Sequence, residues 1–525
     1  MTYLFGPNTT ARLNQGSRAR GMQRVWRALT LLLLLVGLVA LTPAGPAQAA
    51  GVVGDGTPGS CDEAALDAAL AGGGLVTFNC HPGDLPIVVT SDKLITADTQ
   101  IDGGGLVTLS GAGATGIFSV GFGVTLQLAN ITLSDGGGVS FGAAIDNGGG
   151  IVAITNSAIT GHSATLGGGA ILNAPGGVVL IIRSSFTGNS ADTGGAIFND
   201  VGTVTILRST FNDNSAEIGG AIFNSPGATL DITNSTFSEN SASSNGGALA
   251  NAGAGTATLT ASTLSANSAT NSGGALINDP GSAMSVSASI VAENFAPGGP
   301  NCLNTPGTFT TLGSNLSDDA SCGFGAASDI QNSANVNLAP LADNGGPTQT
   351  MLPQLGSDAL DNAACLVFDD QRGVSRPQGA SCDIGAVEIK QVAKARVTGA
   401  GWIDSPAGAY APAPRLSGKA TFSFTARHTA DPTAPAGQTR FKFHAGGLKF
   451  TSSSYESLSV TENGAQFLGT GTINGLGAYG FRVSATDGSP DTFRIQIWDA
   501  ITGEPVYDNG SAQALGGGSI VIKSK

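Results

Sequence analysis

From Ile151 onward, apolar and polar positions alternate with period two in short runs, each closed by glycine or asparagine. "VGTVTILRSTF" (Val201 to Phe211) and "GATLDITNSTF" (Gly227 to Phe237) are two of them. Alternation of this kind between turn formers predicts strands. The runs also repeat. An apolar anchor returns as Ile159, Phe186, Phe211, Phe237, Leu264 and Val291, at steps of 27, 25, 26, 27 and 27 residues. Two residues before it stands Ser157, Ser184, Ser209, Ser235, Ser262 or Ser289. Three after it come His162, Asn189, Asn214, Asn240, Asn267 and Asn294. A second row, Asn147, Asn173, Asn199, Asn224, Asn251 and Asn278, closes the string Gly-Gly-Ala-x-x-Asn or its variants.

A period near 26 residues signals a solenoid. Paired glycines in each repeat exclude helical repeats, whereas three short strands and their turns need about that length. Each repeat is therefore expected to be one coil, with coils about 4.8 Å apart as parallel strands. Val179, Val204 and Leu230 then form one apolar row, and Ile181, Ile206 and Ile232 another. Glycine pairs supply corners that need positive φ or close approach. The asparagine and serine rows bond up the stack. His162 stands in an asparagine slot, where it either replaces a ladder member or acts as a base.

A stack of this kind needs covers at its ends. "SCDEAALDAALAGGGLVTFNC" (Ser60 to Cys80) suits the first, as a short helix with Ser60 as cap, Asp62 and Glu63 at its positive end, and Leu66 and Leu70 on one face. Residues 390–525 alternate over longer stretches, "TFRIQIWD" among them, and predict an antiparallel β-sandwich. The expected architecture is all-β: a parallel β-helix over 85–340 after a cap at 50–84, a terminal coil and closing segment at 341–389, and the sandwich at 390–525.

Composition and charge add location. Five arginines precede the apolar run Ala28 to Leu41, and "AQA" follows at 47–49; this order reads as a secretory signal peptide over 1–49. The 14-residue run is short of the roughly 20 needed to span a bilayer, the alternative being an uncleaved anchor. Residues 50–389 hold five bases against 28 acids, a net −23, and residues 390–525 hold 13 against 9, a net +4. The acidic part repels nucleic acid and anionic lipid, and nucleic-acid binding is set aside on that ground. Six cysteines in an exported chain point to disulfides. Fifteen connectivities are open. The expectation is neighbour pairing, Cys61 with Cys80, Cys302 with Cys322 and Cys365 with Cys382, each closing a loop worth about 3 kcal/mol.

The "GGAI" and "FxxN" strings resemble repeats of the chlamydial polymorphic outer-membrane proteins, over roughly residues 135–300. The segment Leu341 to Glu388, "LADNGGPTQTMLPQLGSDALDN…DDQRGVSRPQGASCDIGAVE", resembles the end of bacterial exported β-helix proteins of the choice-of-anchor Q type. Together these resemblances imply a right-handed parallel β-helix at the cell surface, and no particular activity. The C-terminal region resembles a module appended to many bacterial exported proteins.

Catalysis is weighed because parallel β-helices also carry polysaccharide enzymes. A lyase uses a base beside a cation. Arg183 and Arg208 share one slot on successive coils with Asp231 nearby, and read as a solvated turn or as a site for an anionic sugar. Asp213 and Glu239 share the slot two after the anchor, about 4.8 Å apart in backbone, which permits a hydrolytic pair; surface acids would give the same spacing. Asp370, Arg372, Arg376, Asp383 and Glu388 form the densest polar cluster, read as an ion network locking the last coil or as a hydrolytic site. Trp402, Tyr410 and Trp498 are core residues or a sugar-stacking face. No cofactor is expected; calcium along the acidic turns is the alternative. The expected function is an exported, non-catalytic scaffold for adhesion, glycan binding or display. A polysaccharide lyase or glycoside hydrolase is the alternative.

Overall fold

In the computed structural model, residues 51–82, 85–390, 395–428, 435–461 and 463–524 are described. The secretory segment expected at 1–49 lies outside them.

Apolar residues at alternate positions turn inward and stack on their counterparts one coil away. Val179 pairs with Val204 and Val204 with Leu230; Ile181, Ile206 and Ile232 do the same. Ile159, Phe186, Phe211, Phe237, Leu264 and Val291 are likewise in register. The rings of Phe186, Phe211 and Phe237 stack at 4.7 and 4.8 Å, each pair within 6° of parallel. The result is a β-solenoid of about ten parallel turns. Among the described residues it has three long parallel sheets. One runs over eleven strands from Gly51–Val53 to Thr308–Thr311. The second runs over nine from Ile87–Val88 to Ile290–Val291, and the third over nine from Lys93–Ile95 to Cys302–Asn304. Short extra strands such as Ser215–Ile218 and Ser241–Asn245 add a fourth, partial face.

The polar rows are ladders inside the stack. Each serine Oγ from Ser184 to Ser289 accepts the backbone N–H of the serine one coil earlier, at 3.1–3.2 Å. Each Nδ2 from Asn147 to Asn251 donates to the Oδ1 of the next coil at 2.8 Å. The other row does so from Asn189 to Asn267 at 2.9 Å. The glycine pairs divide their labour. Gly194 takes φ +60°, while a Cβ on Gly195 would lie 2.2 Å from Gly220 O.

The first cover is the helix Glu63–Leu70, with Leu66 and Ala69 buried against the first coils. Its cap is Asp62, whose carboxylate accepts Ala65 N at 2.8 Å. Ser60, expected in that role, instead accepts the N–H of Asp55. All three neighbouring cysteine pairs are bonded.

The second cover has two parts. Phe324 fills the end of the core, with its ring 6.2 Å from that of Phe309, beside the Cys302–Cys322 bridge. Residues 341–389 do more than lock the last coil. They run back as a strap over the outer face of the second sheet. Gln371 Nε2 donates to Thr210 Oγ1 (2.8 Å), and Gln371 Oε1 accepts from Thr236 Oγ1 (2.7 Å). Thr263 Oγ1 accepts Ala386 N (3.0 Å), and Gly385 N donates to Ala288 O (2.8 Å). Thr210, Thr236 and Thr263 are buried beneath it.

Residues 395–524 form one antiparallel sheet that curls until distant strands meet. Phe422 in Gly418–Arg427 stacks on Phe493 in Thr492–Asp499 at 3.8 Å, although four strands separate them in sheet order. The two layers expected of a sandwich thus come from a single sheet folded over its own aromatic core. The free edge of Gly517–Ser524 is covered, since Ile520 N and Ile522 N donate to the carboxylates of Asp491 and Asp487.

Candidate functional site

The charged rows lie at the corners of the coils, where the backbone geometry repeats. The slot three before the anchor is left-handed in successive coils: Asn156 (φ 49°), Arg183 (50°), Arg208 (51°), Asn234 (48°) and Ala261 (47°). The slot two after the anchor is left-handed as well, at Gly188 (66°), Asp213 (56°), Glu239 (58°), Ala266 (61°) and Glu293 (60°). Asparagine, aspartate and glycine are enriched in that conformation, which accounts for those members of both rows; the arginines, glutamates and alanines have no such explanation. Asp213 and Glu239 point outward into solvent. Glu239 accepts from Asn212 Nδ2 at 3.2 Å.

Arg183 is exposed on the other corner line, three before the anchor. Arg208 forms an ion pair with Asp369 of the strap, so its partner is not the expected Asp231. Asp231 sits on the outward side of the strand Thr229–Thr233, with its carboxyl held above the usual range by burial. The five residues expected to bind are therefore dispersed over two corner lines, a strand face and a strap contact.

His162 fills the asparagine slot in its bonds to backbone, without the amide-to-amide link that Asn189 makes to Asn214. Its Nδ1 accepts Gly136 N (2.9 Å), which places the proton on Nε2 for donation to Leu133 O (3.0 Å). Asn189 serves the next coil in the same way, accepting His162 N (3.0 Å) and donating to Ile159 O (3.2 Å). Burial lowers the imidazole to about 4.

The strap cluster is the most densely paired polar group. Asp370 accepts from Arg372 Nη2 (2.8 Å) and from the backbone N–H of Arg372, Val374 and Glu388. Arg376 reaches Glu388 Oε2 (3.3 Å), Asp383 O (2.8 Å) and Gly385 O (2.6 Å). Asp383 accepts Asp361 N and Ile389 N, while Glu388 accepts Gln378 N and Asp383 N. Burial, with the Glu388 and Asp361 carboxylates nearby, pushes Asp383 up to about 7. That value would suit a general acid. Yet Asp383 and Glu388 are almost wholly buried, and every carboxylate of the cluster is spent on backbone N–H groups or guanidinium. The arrangement fixes the strap's fold and leaves no surface where a substrate could meet it.

The aromatics do not converge either. Trp402 lies beneath Lys419 Nζ (4.4 Å to the ring) and against Gly516 and Gly517. Tyr410 packs edge-on to Phe443, and Trp498 lies over Gly480. Among the described residues, no group of three or more His, Cys, Asp or Glu is placed to hold a metal ion, and no helix is long and apolar enough to cross a membrane.

Two features went unread in the sequence. One is the outward row through Thr210, Thr236 and Thr263, whose only signal is a threonine before three successive anchors. The other is a set of exposed cations on the C-terminal sheet, visible as alternating Lys and Arg in "TRFKFHAGGLKF" once strands are put in register. No family model matches this chain, and no curated protein or solved structure matches it either.

Proposed function

We propose that this chain is an exported, surface-associated β-solenoid that serves adhesion or display and catalyses no reaction. One observation carries the reading. The regular polar rows of the interior are spent on coil-to-coil hydrogen bonds, and the exposed acids Asp213 and Glu239 stand at left-handed corners of the coils. Three disulfides favour an oxidising compartment. The order of charge and apolar residues at 1–49 adds a secretory signal, and the likeness of Leu341 to Glu388 to choice-of-anchor Q proteins adds a surface location. A rigid rod is a natural spacer, because its length grows by about 4.8 Å per coil.

The test has two parts. N-terminal sequencing of the protein recovered from the medium or cell surface should begin near Ala50; retention inside the cell at full length would defeat the export reading. Reducing-sugar and unsaturated-product assays over a polysaccharide panel, with and without calcium, should show no turnover. Turnover that vanishes in Asp213→Ala or Asp383→Ala would make the chain a polysaccharide lyase or glycoside hydrolase instead.

A further inference from the structure

The outward face of the C-terminal sheet places like charges directly opposite one another. Arg396 is in register with Arg427 on one side and with Lys523 on the other. Three same-face rows away, Lys442 faces Lys449, and Arg440 lies in a row between. All six side chains are exposed. None has an ion pair among the described residues, where the six pairs lie elsewhere. Asp404, opposite Lys419, is an acid of this face, and Asp487 and Asp491 border its edge through Ile522 N and Ile520 N. Directly opposed residues have Cβ atoms about 5 Å apart, and like charges there destabilise the sheet. The fold therefore gains nothing from these cations. Their concentration is also against the trend of a chain with net charge −14.

We infer that this face binds an anionic polysaccharide, one bearing carboxylate or sulfate groups, and that it supplies the contact for the adhesive role proposed above, on which the inference rests. Charge selects a polyanion. The surroundings favour a glycan. Thr398, Thr425, Ser423, Gln438 and Thr451 fill the spaces between the cations with hydroxyl and amide groups. The face offers little to insert into a bilayer: Trp402 lies beneath Lys419, and Val521, opposite Thr398, adds one small exposed aliphatic. Binding is a matter of charge and hydrogen bonding along a flat surface, without ring stacking.

The experiment uses the intact chain and a variant carrying Arg396→Gln, Arg427→Gln, Lys442→Gln and Lys449→Gln. Both are titrated with heparin, polygalacturonate and neutral dextran. The parent should bind heparin, polygalacturonate or both, and not dextran. Its affinity should fall at least tenfold between about 50 and about 200 mM salt. The variant should bind roughly 100-fold more weakly, with a melting temperature no lower than the parent's, because opposed cations are removed. Equal binding to dextran, no binding to either anionic polymer, or full binding by the variant overturns the inference. So does a preference for phosphatidylglycerol-containing vesicles, for DNA, or for a second copy of the chain seen in sedimentation. Export is scored separately. A chain that binds heparin through these residues but stays inside the cell leaves this face intact and removes the surface role.

Discussion

Lys93 Nζ lies 2.5 Å from Glu63 Oε1 and 2.8 Å from Asp67 Oδ1, so the one lysine of residues 50–389 ties the third sheet to the capping helix. Thr90 adds its N–H and hydroxyl to the same Glu63 carboxylate, at 2.8 and 2.7 Å. Lys93→Met should therefore loosen the cover more than the coils behind it. The expected loss is about 1–3 kcal/mol. Hydrogen exchange should rise over 63–70 while the C-terminal sheet is unchanged. Burial opposes ionisation of Glu63, but Lys93 and Thr90 outweigh it and hold the group at about 2. Its contribution is thus present above about pH 4.5 and is lost as pH falls toward about 2. An unaltered exchange pattern in the variant would show that the helix needs no such tie.

His162 provides a pH prediction of the same sign over a higher range. Its folded value of about 4 is below the ordinary 6.5. The unfolded chain then takes up the proton first, and stability falls as pH drops from about 6.5 to about 4. The full loss is roughly 3 kcal/mol. His162→Asn restores the ladder's usual member and should flatten that part of the profile while leaving stability at pH 7 nearly unchanged. A steeper profile in the variant would contradict the ladder role.

The interior ladders and the corner acids should respond very differently to substitution. Asn240 Nδ2 donates to Asn267 Oδ1 and Phe211 O, and its Oδ1 accepts from Asn214. Asn240→Ala leaves several buried partners unmet and should cost roughly 2–4 kcal/mol. Asp213→Gly, at an exposed left-handed corner, should be neutral to within about 1 kcal/mol. Chemical denaturation of the two variants compares them directly, and equal losses would be inconsistent with this division.

This contrast also marks what could be read from the residues alone. Rows of Ser, Asn and Phe at a fixed step determine which side chains stack, because a parallel coil admits only one register. The disulfide partners followed from their spacing. The strap did not, since Gln371 meets Thr210 and Thr236 across more than 130 residues and no periodicity links them. Arg208 meets Asp369, with Asp231 merely nearby in the repeat, for the same reason: Asp369 is remote in sequence and adjacent in space. Register also hid the basic face, because the opposition of Arg396 to Arg427 depends on which strands are neighbours.

Gln371→Ala removes the bonds to Thr210, Thr236 and Thr348 together. Exchange should then increase through 341–389 and at Thr210, Thr236 and Thr263, with little change in coils before Ser184. Asp383 adds a second handle. Its folded value of about 7 exceeds the ordinary 3.8, so its contribution is complete below about pH 3.8 and is lost as pH rises through about 7. Asp383→Asn should make strap protection independent of pH over that window. A strap whose protection weakens as pH falls would reverse the sign and refute the assignment.

The strap changes how the rod would bear a load. Gln466 Nε2 in the C-terminal sheet donates to Leu355 O of the strap (3.2 Å), and the strap grips Thr210, Thr236 and Thr263 from the side. Tension entering from the C-terminal end is therefore shared as shear across several rungs at once. Rungs that would otherwise peel away singly must then yield together, so a pull on that sheet meets more resistance than any one coil offers.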